Sequence, residues 1–261
     1  MKKIIFSLFV LISILSCNKN NSDWENLIIN NSLKGWHIYQ DDGTKGGWKI
    51  ENEVLIFDAL SSLESGESDA SLLSNKKYLN FEIIFDWKIE NGGNSGFMWG
   101  VSEEKKYKYP YQTGPEIQII DTDAYLKPEI ILGGEIELNN ILKDLKKKKH
   151  FLGAVYGISA PTKTSLANPA GEWNSYHIKI DHKKNKGEVV LNGVLINVFP
   201  LKGLKWDSLV KKSKFSRSED YEYLGDERWY GFGKFPYGFI CLQDHPGKAY
   251  FKQIKIRELY N

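Results

Sequence analysis

The sequence predicts an all-β protein, a single-domain sandwich of the jelly-roll type. Short apolar runs with period-two alternation recur along the chain, punctuated by Gly, Asn, Asp and Pro. Aromatic residues make up 13% of the 261 residues and stand beside 23 glycines, a composition of sheets joined by tight turns. No stretch holds a helical period for long, apart from an amphipathic piece at 139–145, so helices are not interleaved with the strands. Neither a Pro/Ser-rich linker nor an internal repeat divides the chain.

The N-terminus reads as a leader. Met1-Lys2-Lys3 is positively charged, and the run from Ile4 to Leu15 is apolar except at Ser7 and Ser13. That run is short for a membrane span and has the flanks of an export signal. Ser16-Cys17 then places a small residue directly before a cysteine, which resembles the lipobox of bacterial lipoproteins; Ile14 and Leu15 fit that pattern loosely. The expected organisation is a leader at 1–16, a lipidated Cys17 with a polar tether at 17–30, and one folded domain at 31–261. The protein is then expected at the bacterial cell envelope, meeting the membrane only through its lipid. Plain signal cleavage nearby is the alternative.

The formal charge is +2, and Lys2 and Lys3 of the leader account for all of it. The balanced remainder lacks the clustered positive surplus of a nucleic-acid binder. With Cys17 lipidated, Cys241 is the remaining thiol, so no intramolecular disulfide forms. Phe239-Ile240-Cys241-Leu242 reads as a buried strand, which makes Cys241 a small hydrophobe rather than a nucleophile. The five His residues show no metal-ligand spacing, and no metal site is assigned. A divalent cation held by carboxylates and water leaves no such spacing and stays open.

Element by element, Trp48-Lys49-Ile50 and Val54-Leu55-Ile56-Phe57 form a hairpin across Glu51-Asn52-Glu53. The strand at 81–90 puts Phe81, Ile83, Phe85, Trp87 and Ile89 on one face, with Glu82, Asp86, Lys88 and Glu90 on the other. Further strands are expected at 96–101, 116–120, 153–156, 173–181, 187–191, 194–199, 238–243 and 250–258. Asn192-Gly193 joins two of them as a type I′ turn, which needs positive φ at both central residues. Two stretches read as loop elaborations. The first, 126–150, ends in four lysines and a histidine; the second, 211–235, is rich in aromatics including Tyr221, Tyr223, Trp229 and Tyr230. The aromatic loop can close over a ligand or pack on a sheet edge.

The segment richest in chemistry is Tyr111-Gln112-Thr113-Gly114-Pro115-Glu116-Ile117-Gln118-Ile119-Ile120-Asp121. Gly-Pro starts a strand without removing a donor from its middle. Glu116 and Gln118 share one face, and Ile117 and Ile119 the other. A carboxylate beside an amide is a costly placement in a core and suits a polar groove. Asp121 joins that face if a β-bulge lies at Ile119-Ile120; an ordinary solvent-facing strand is the alternative. Asn91-Gly92-Gly93-Asn94-Ser95-Gly96 offers a tight turn with Asn94 and Ser95 as partners for sugar hydroxyls. Leu242-Gln243-Asp244-His245 brings an amide, a carboxylate and an imidazole to one strand end, where His245 can carry a proton near neutral pH or serve only as a structural residue.

Taken in order, these segments resemble the bacterial 3-keto-disaccharide hydrolase domain family. The residues carrying the likeness include Asp86-Trp87-Lys88, Gly93-Asn94-Ser95-Gly96, Gly114 to Asp121, Ala170-Gly171-Glu172-Trp173-Asn174, Leu191-Asn192-Gly193, Ser213-Lys214-Phe215 and Gly238 to His245, over roughly 36–259. Departures are His245-Pro246-Gly247 for the usual His-Gly, Lys252-Gln253 for Arg-Asn, and an expanded 126–150 region. The resemblance implies a concanavalin-like jelly roll acting on glycosides oxidised at C3 of the sugar. A ketone at C3 acidifies the C2 proton; its removal gives an enolate that expels the C1 substituent. Such a route needs a general base, donors to the enolate oxygen and an acid for the leaving group. By resemblance and strand geometry the catalytic candidates are Glu116, Asp121 and His245. Gln118, Asn94, Ser95, Tyr111, Gln243, Asp244 and Trp99 are the substrate-binding candidates.

Two other readings stand beside this one. Glu116-x-Gln118-x-x-Asp121 is similar to the Glu-x-Asp-x-x-Glu strand of laminarinase-like retaining hydrolases, which use two carboxylates about 5 Å apart. A non-catalytic sugar-binding module would need only stacking aromatics, which Trp99, Tyr109, Tyr111 and Trp229 can supply.

Overall fold

The computed structural model describes residues 23–40, 46–59, 71–125, 148–163, 165–216 and 229–259. Cys17 and the leader, residues 126–147 with the amphipathic piece at 139–145, and 217–228 of the aromatic 211–235 stretch lie outside the described residues. Among the described residues, thirteen strands make two antiparallel sheets. The larger sheet runs β11 (Val194–Phe199), β10 (Lys186–Leu191), β9 (Asn174–Asp181), β6 (Phe81–Ile89), β13 (Lys248–Glu258), β4 (Val54–Asp58) and β3 (Trp48–Glu51), with β1 (Glu25–Asn26) also pairing β13. The smaller runs β2 (Trp36–Ile38), β5 (Leu72–Tyr78), β12 (Gly238–Leu242), β7 (Asn94–Val101) and β8 (Glu116–Ile120). The expected jelly-roll sandwich is what the chain forms.

Alternation decides which side chains fill the space between the sheets. Phe81, Ile83, Phe85, Trp87 and Ile89 of β6 are all buried, as their spacing requires. Phe85 packs 5.8 Å from Phe97 of the opposite sheet and edge-on at 5.9 Å from Tyr176 of its own. A cluster of this kind, spanning both sheets, is the main source of stability; each buried aromatic contributes about 2–3 kcal/mol of transfer free energy. The outer face of β6 brings a surprise at Glu82, which is only 5% exposed. Arg257 (2.6 Å) and Lys179 (2.8 Å) close over its carboxylate, with His177 at 3.3 Å. Those partners hold it well below the usual carboxylate range.

The 48–57 hairpin forms with Trp48 opposite Phe57. Asn192 and Gly193 take φ of 48° and 82° between β10 and β11, as the turn demands. β2, β5 and one helix did not show in the sequence. β2 is three residues long, and β5 carries Ser74-Asn75-Lys76-Lys77 in its middle; both are strands because neighbours pair with them. The helix Gly203–Lys211 buries only Trp206 and Val210 while leaving Leu204 exposed, which blurs its period. The expected strand at 153–156 is instead an irregular segment bridged to β8 at Val155.

Candidate active site

β7 and β8 lie side by side at one edge of the smaller sheet, paired from Asn94↔Ile120 to Met98↔Glu116 with no irregularity. The outer edge of β8 is covered by the 153–156 segment. Gln118 N–H donates to Ala154 O (3.0 Å), and Tyr156 N–H donates to Glu116 O (2.9 Å). β8 is thereby held from both sides. Ile117 and Ile119 point into the core, fully buried, so Glu116 and Gln118 point to the sheet's outer face. Gln243 joins them on that face, its N–H bonded to Gly96 O at 2.9 Å.

Gly96 sits between these groups. A Cβ there would lie 2.7 Å from the Glu116 carboxyl carbon, so the missing side chain is the space the carboxyl occupies. Gln243 Nε2 donates to Glu116 Oε2 at 3.3 Å. The Glu116 carboxyl keeps some surface open to the cleft yet is closely surrounded by protein, and this burial pushes its pKa from 4.5 up to about 7. The Lys214 ammonium and the Gln243 bond pull the other way. Lys214 Nζ lies 4.4 Å from the centroid of the Tyr156 ring, on the segment that covers the Glu116 strand.

The same region gathers polar atoms without partners. Among the described residues, seven buried side-chain polar atoms lack a hydrogen bond, and four belong to Asn94 (Oδ1), Gln118 (Oε1), Gln243 (Oε1) and His245 (Nδ1). Buried polar atoms are ordinarily satisfied, so this concentration leaves acceptors that water or a bound molecule can fill. Hydroxyl groups fit three carbonyl acceptors in a row. His245 lies two residues past Gln243, toward the Asn94 end of β7, and burial lowers its pKa. It is therefore a neutral imidazole at pH 7, an acceptor or base rather than an acid.

Other expected site residues have different surroundings. The ladder has no bulge at Ile119-Ile120, so Asp121 is not turned toward Glu116. Its Oδ2 accepts from Gly92 N–H (3.0 Å) and its Oδ1 from Ala124 N–H (3.1 Å), which ties the β6–β7 turn to the one-turn helix Thr122–Tyr125. Trp99 is 3% exposed and packs 5.6 Å from Phe199 inside the sandwich, so it presents no sugar platform. Ser95 is fully buried and donates to Gln243 O at 2.7 Å; it positions Gln243 from behind. Asp244 accepts from the Ser71 hydroxyl. Tyr111 stacks on Tyr109 at 5.0 Å and leans toward Trp229 at 6.1 Å, forming an aromatic wall that continues to Phe215. Cys241 is buried with its thiol pKa raised, as a packed hydrophobe should be. No group of three or more His, Cys, Asp and Glu among the described residues is placed to hold a metal.

Sequence reading placed Lys214 among the residues of the family likeness but gave it no role. It lies almost a hundred positions from Glu116, and no spacing rule connects a loop lysine to a strand carboxylate. Chemically, the cleft offers one carboxyl poised to titrate near neutral pH, one nearby cation, a neutral imidazole and three open carbonyl acceptors.

Comparison with known proteins bears on what uses this arrangement. A Bacteroides thetaiotaomicron protein named 3-keto-disaccharide hydrolase is 28% identical over 242 residues, which cover 87% of this chain and 76% of the relative. A crystal structure of a proposed glycosyl hydrolase from Parabacteroides distasonis superimposes with a TM-score of 0.69 at 30% identity, covering 90% of this chain and 94% of the other. A second structure from the same organism, at 23% identity and a TM-score of 0.62, covers 91% and 100% and supports the fold. Residues 23–257, most of the chain, match the sequence pattern of one family. The chain belongs to the 3-keto-alpha-glucoside-1,2-lyase-like domain family.

Proposed function

We propose that this protein cleaves glycosides oxidised at C3 of the sugar, with Glu116 as the general base that removes the C2 proton. Membership of the family supports glycosidic-bond cleavage, by hydrolysis or elimination. The observation that carries the finer reading is the Glu116 carboxyl: crowded by protein, seated over Gly96, with a pKa of about 7. A base of that strength is matched to a carbon acid activated by an adjacent ketone. Proton removal from C2 leaves an electron pair that delocalises onto O3. Re-formation of the C3 carbonyl then makes a C1=C2 double bond and expels the C1 oxygen with its electron pair, and that oxygen takes up a proton. Water adding across the double bond would complete a net hydrolysis.

Within this scheme Lys214 stabilises the charge growing on O3. Asn94, Gln118 and Gln243 accept from substrate hydroxyls through carbonyl oxygens that have no partner. His245 accepts from a hydroxyl or relays a proton as a neutral imidazole. The two-carboxylate mechanism of retaining hydrolases has less support, because both oxygens of Asp121 are bonded to backbone N–H groups and the ladder carries no bulge.

The test is to incubate the protein with matched 3-keto and ordinary disaccharides in D2O and identify products by mass. Cleavage confined to the 3-keto substrate is expected, with deuterium entering at C2 in the wild type and not in Glu116→Gln. Equal turnover of the unoxidised sugar would sink the proposal.

A further inference from the structure

A cavity of about 580 Å³ opens at one end of the sandwich, and the chemistry above makes no use of it. Trp87 and Ile89 of β6 line it from the larger sheet, and Ile120 of β8 from the smaller. None of Glu116, Gln118, Asn94, Gln243 and His245 lines it, and Glu116 is at the far end of β8 from Ile120, about 13 Å away at strand spacing. Its volume falls within the range of small-molecule sites.

Trp87 gives the cavity its chemistry. The residue is 2% exposed, packs 5.4 Å from Tyr176, and its indole Nε1–H meets no acceptor. A buried tryptophan normally places that hydrogen on a partner. Trp87 is among the residues that line the cavity. Around the mouth are the exposed carboxylates of Asp123 and Glu172 and the side chains of Asn91 and Asn168. Among the described residues, no Lys, Arg or His lines it.

We propose that this cavity binds a neutral, hydroxyl-rich ligand of mono- to disaccharide size, at a site separate from the Glu116 cleft. The polar inventory selects the class. An anion would face the Asp123 and Glu172 carboxylates, with no cation among the described lining residues to offset them. A metal ion or an ammonium group cannot accept a hydrogen bond, so either would leave the Trp87 N–H unmatched. A purely apolar ligand would leave it unmatched too. A hydroxyl both accepts from the indole and donates to a carboxylate or an asparagine carbonyl, and a sugar ring carries apolar C–H faces for Ile89 and Ile120. The proposal goes beyond the cleavage reading and does not depend on it, since binding here is measured without turnover.

The experiment uses the full-length Glu116→Gln protein, titrated with unoxidised disaccharides (sucrose, lactose, cellobiose and trehalose) and, separately, with calcium chloride and with glucosamine. Two-dimensional proton–nitrogen spectra follow the indole N–H signals of the eight tryptophans, and Trp87→Phe identifies the one that belongs to residue 87. At least one disaccharide is expected to move that signal. Ala170→Leu, which narrows the cavity, should weaken the affinity at least tenfold; Trp87→Phe should weaken it about fivefold, as loss of one hydrogen bond does. In the protein with Glu116 intact, Ala170→Leu should leave turnover of a small 3-keto glycoside unchanged. No movement of the Trp87 signal with any disaccharide would overturn the proposal, as would movement with calcium or glucosamine alone. Equal affinities for parent and Ala170→Leu would overturn it as well, whether or not 3-keto glycosides are cleaved.

Discussion

Glu116→Gln should both stabilise the protein and silence it, with the stabilisation growing as pH rises. The substitution keeps the shape over Gly96 and removes the charge. In the folded protein the carboxyl titrates at about 7 instead of 4.5. Below about pH 4.5 it is protonated in folded and unfolded chains alike, and its ionisation contributes nothing. Between 4.5 and 7 the unfolded chain ionises first, so the folded state loses ground; above 7 the full penalty is present. A shift of that size corresponds to about 3 kcal/mol as an upper bound, and to about half that once water at the open side of the cleft screens the charge. Urea unfolding of both proteins at pH 4.5, 6, 7 and 8 measures it. The variant's advantage should be near zero at the lowest pH and about 1.5–3 kcal/mol at pH 8, while kcat falls by about 10²- to 10⁴-fold. A stability difference that is the same at every pH would refute the claim that burial raises this carboxyl, and with it the choice of Glu116 as base.

Other outcomes follow from the same geometry. Gly96→Ala should fold, because the end of the Glu116 side chain can move aside, but that displacement should lower kcat by about 10-fold or more in steady-state assays. Asp121→Ala removes two acceptors of backbone N–H groups and should lower urea stability by about 1–2 kcal/mol while sparing most of kcat. A kcat loss as deep as that of Glu116→Gln would restore the two-carboxylate mechanism. Lys214→Met removes a charge that draws the Glu116 pKa down, so the acid limb of the kcat/KM profile should move to higher pH; an unmoved limb would separate Lys214 from the base. Cys17→Ser should shift the protein from the membrane fraction to the soluble fraction if the leader reading holds, and fractionation followed by blotting reads this directly.

Much of the architecture is written in local pattern. The alternation along 81–89 dictates a strand with an aromatic inner face, because neighbouring side chains in a strand must point to opposite sides. Asn192-Gly193 specifies its turn, because few other residue pairs accept positive φ at both positions. The same parity rule placed Glu116 and Gln118 together on a polar face, and the ordered motifs carried the family. What local pattern does not contain is the identity of a residue's partners across the sheets. In sequence Trp99 can be read as a platform for a sugar ring, yet packing against Phe199 of another strand puts it in the core. Asp121 carries the right charge for catalysis, but backbone N–H groups from Gly92 and Ala124 occupy it, and the absence of a bulge is a property of the β7–β8 ladder. β5 is polar in its middle and becomes a strand because β2 and β12 flank it. Lys214, Gln243 and Glu116 meet only when a loop, one strand end and another strand start converge. The carboxyl's strength as a base is therefore tertiary in origin: its pKa is set by what surrounds it, and those surroundings come from stretches far apart in the chain.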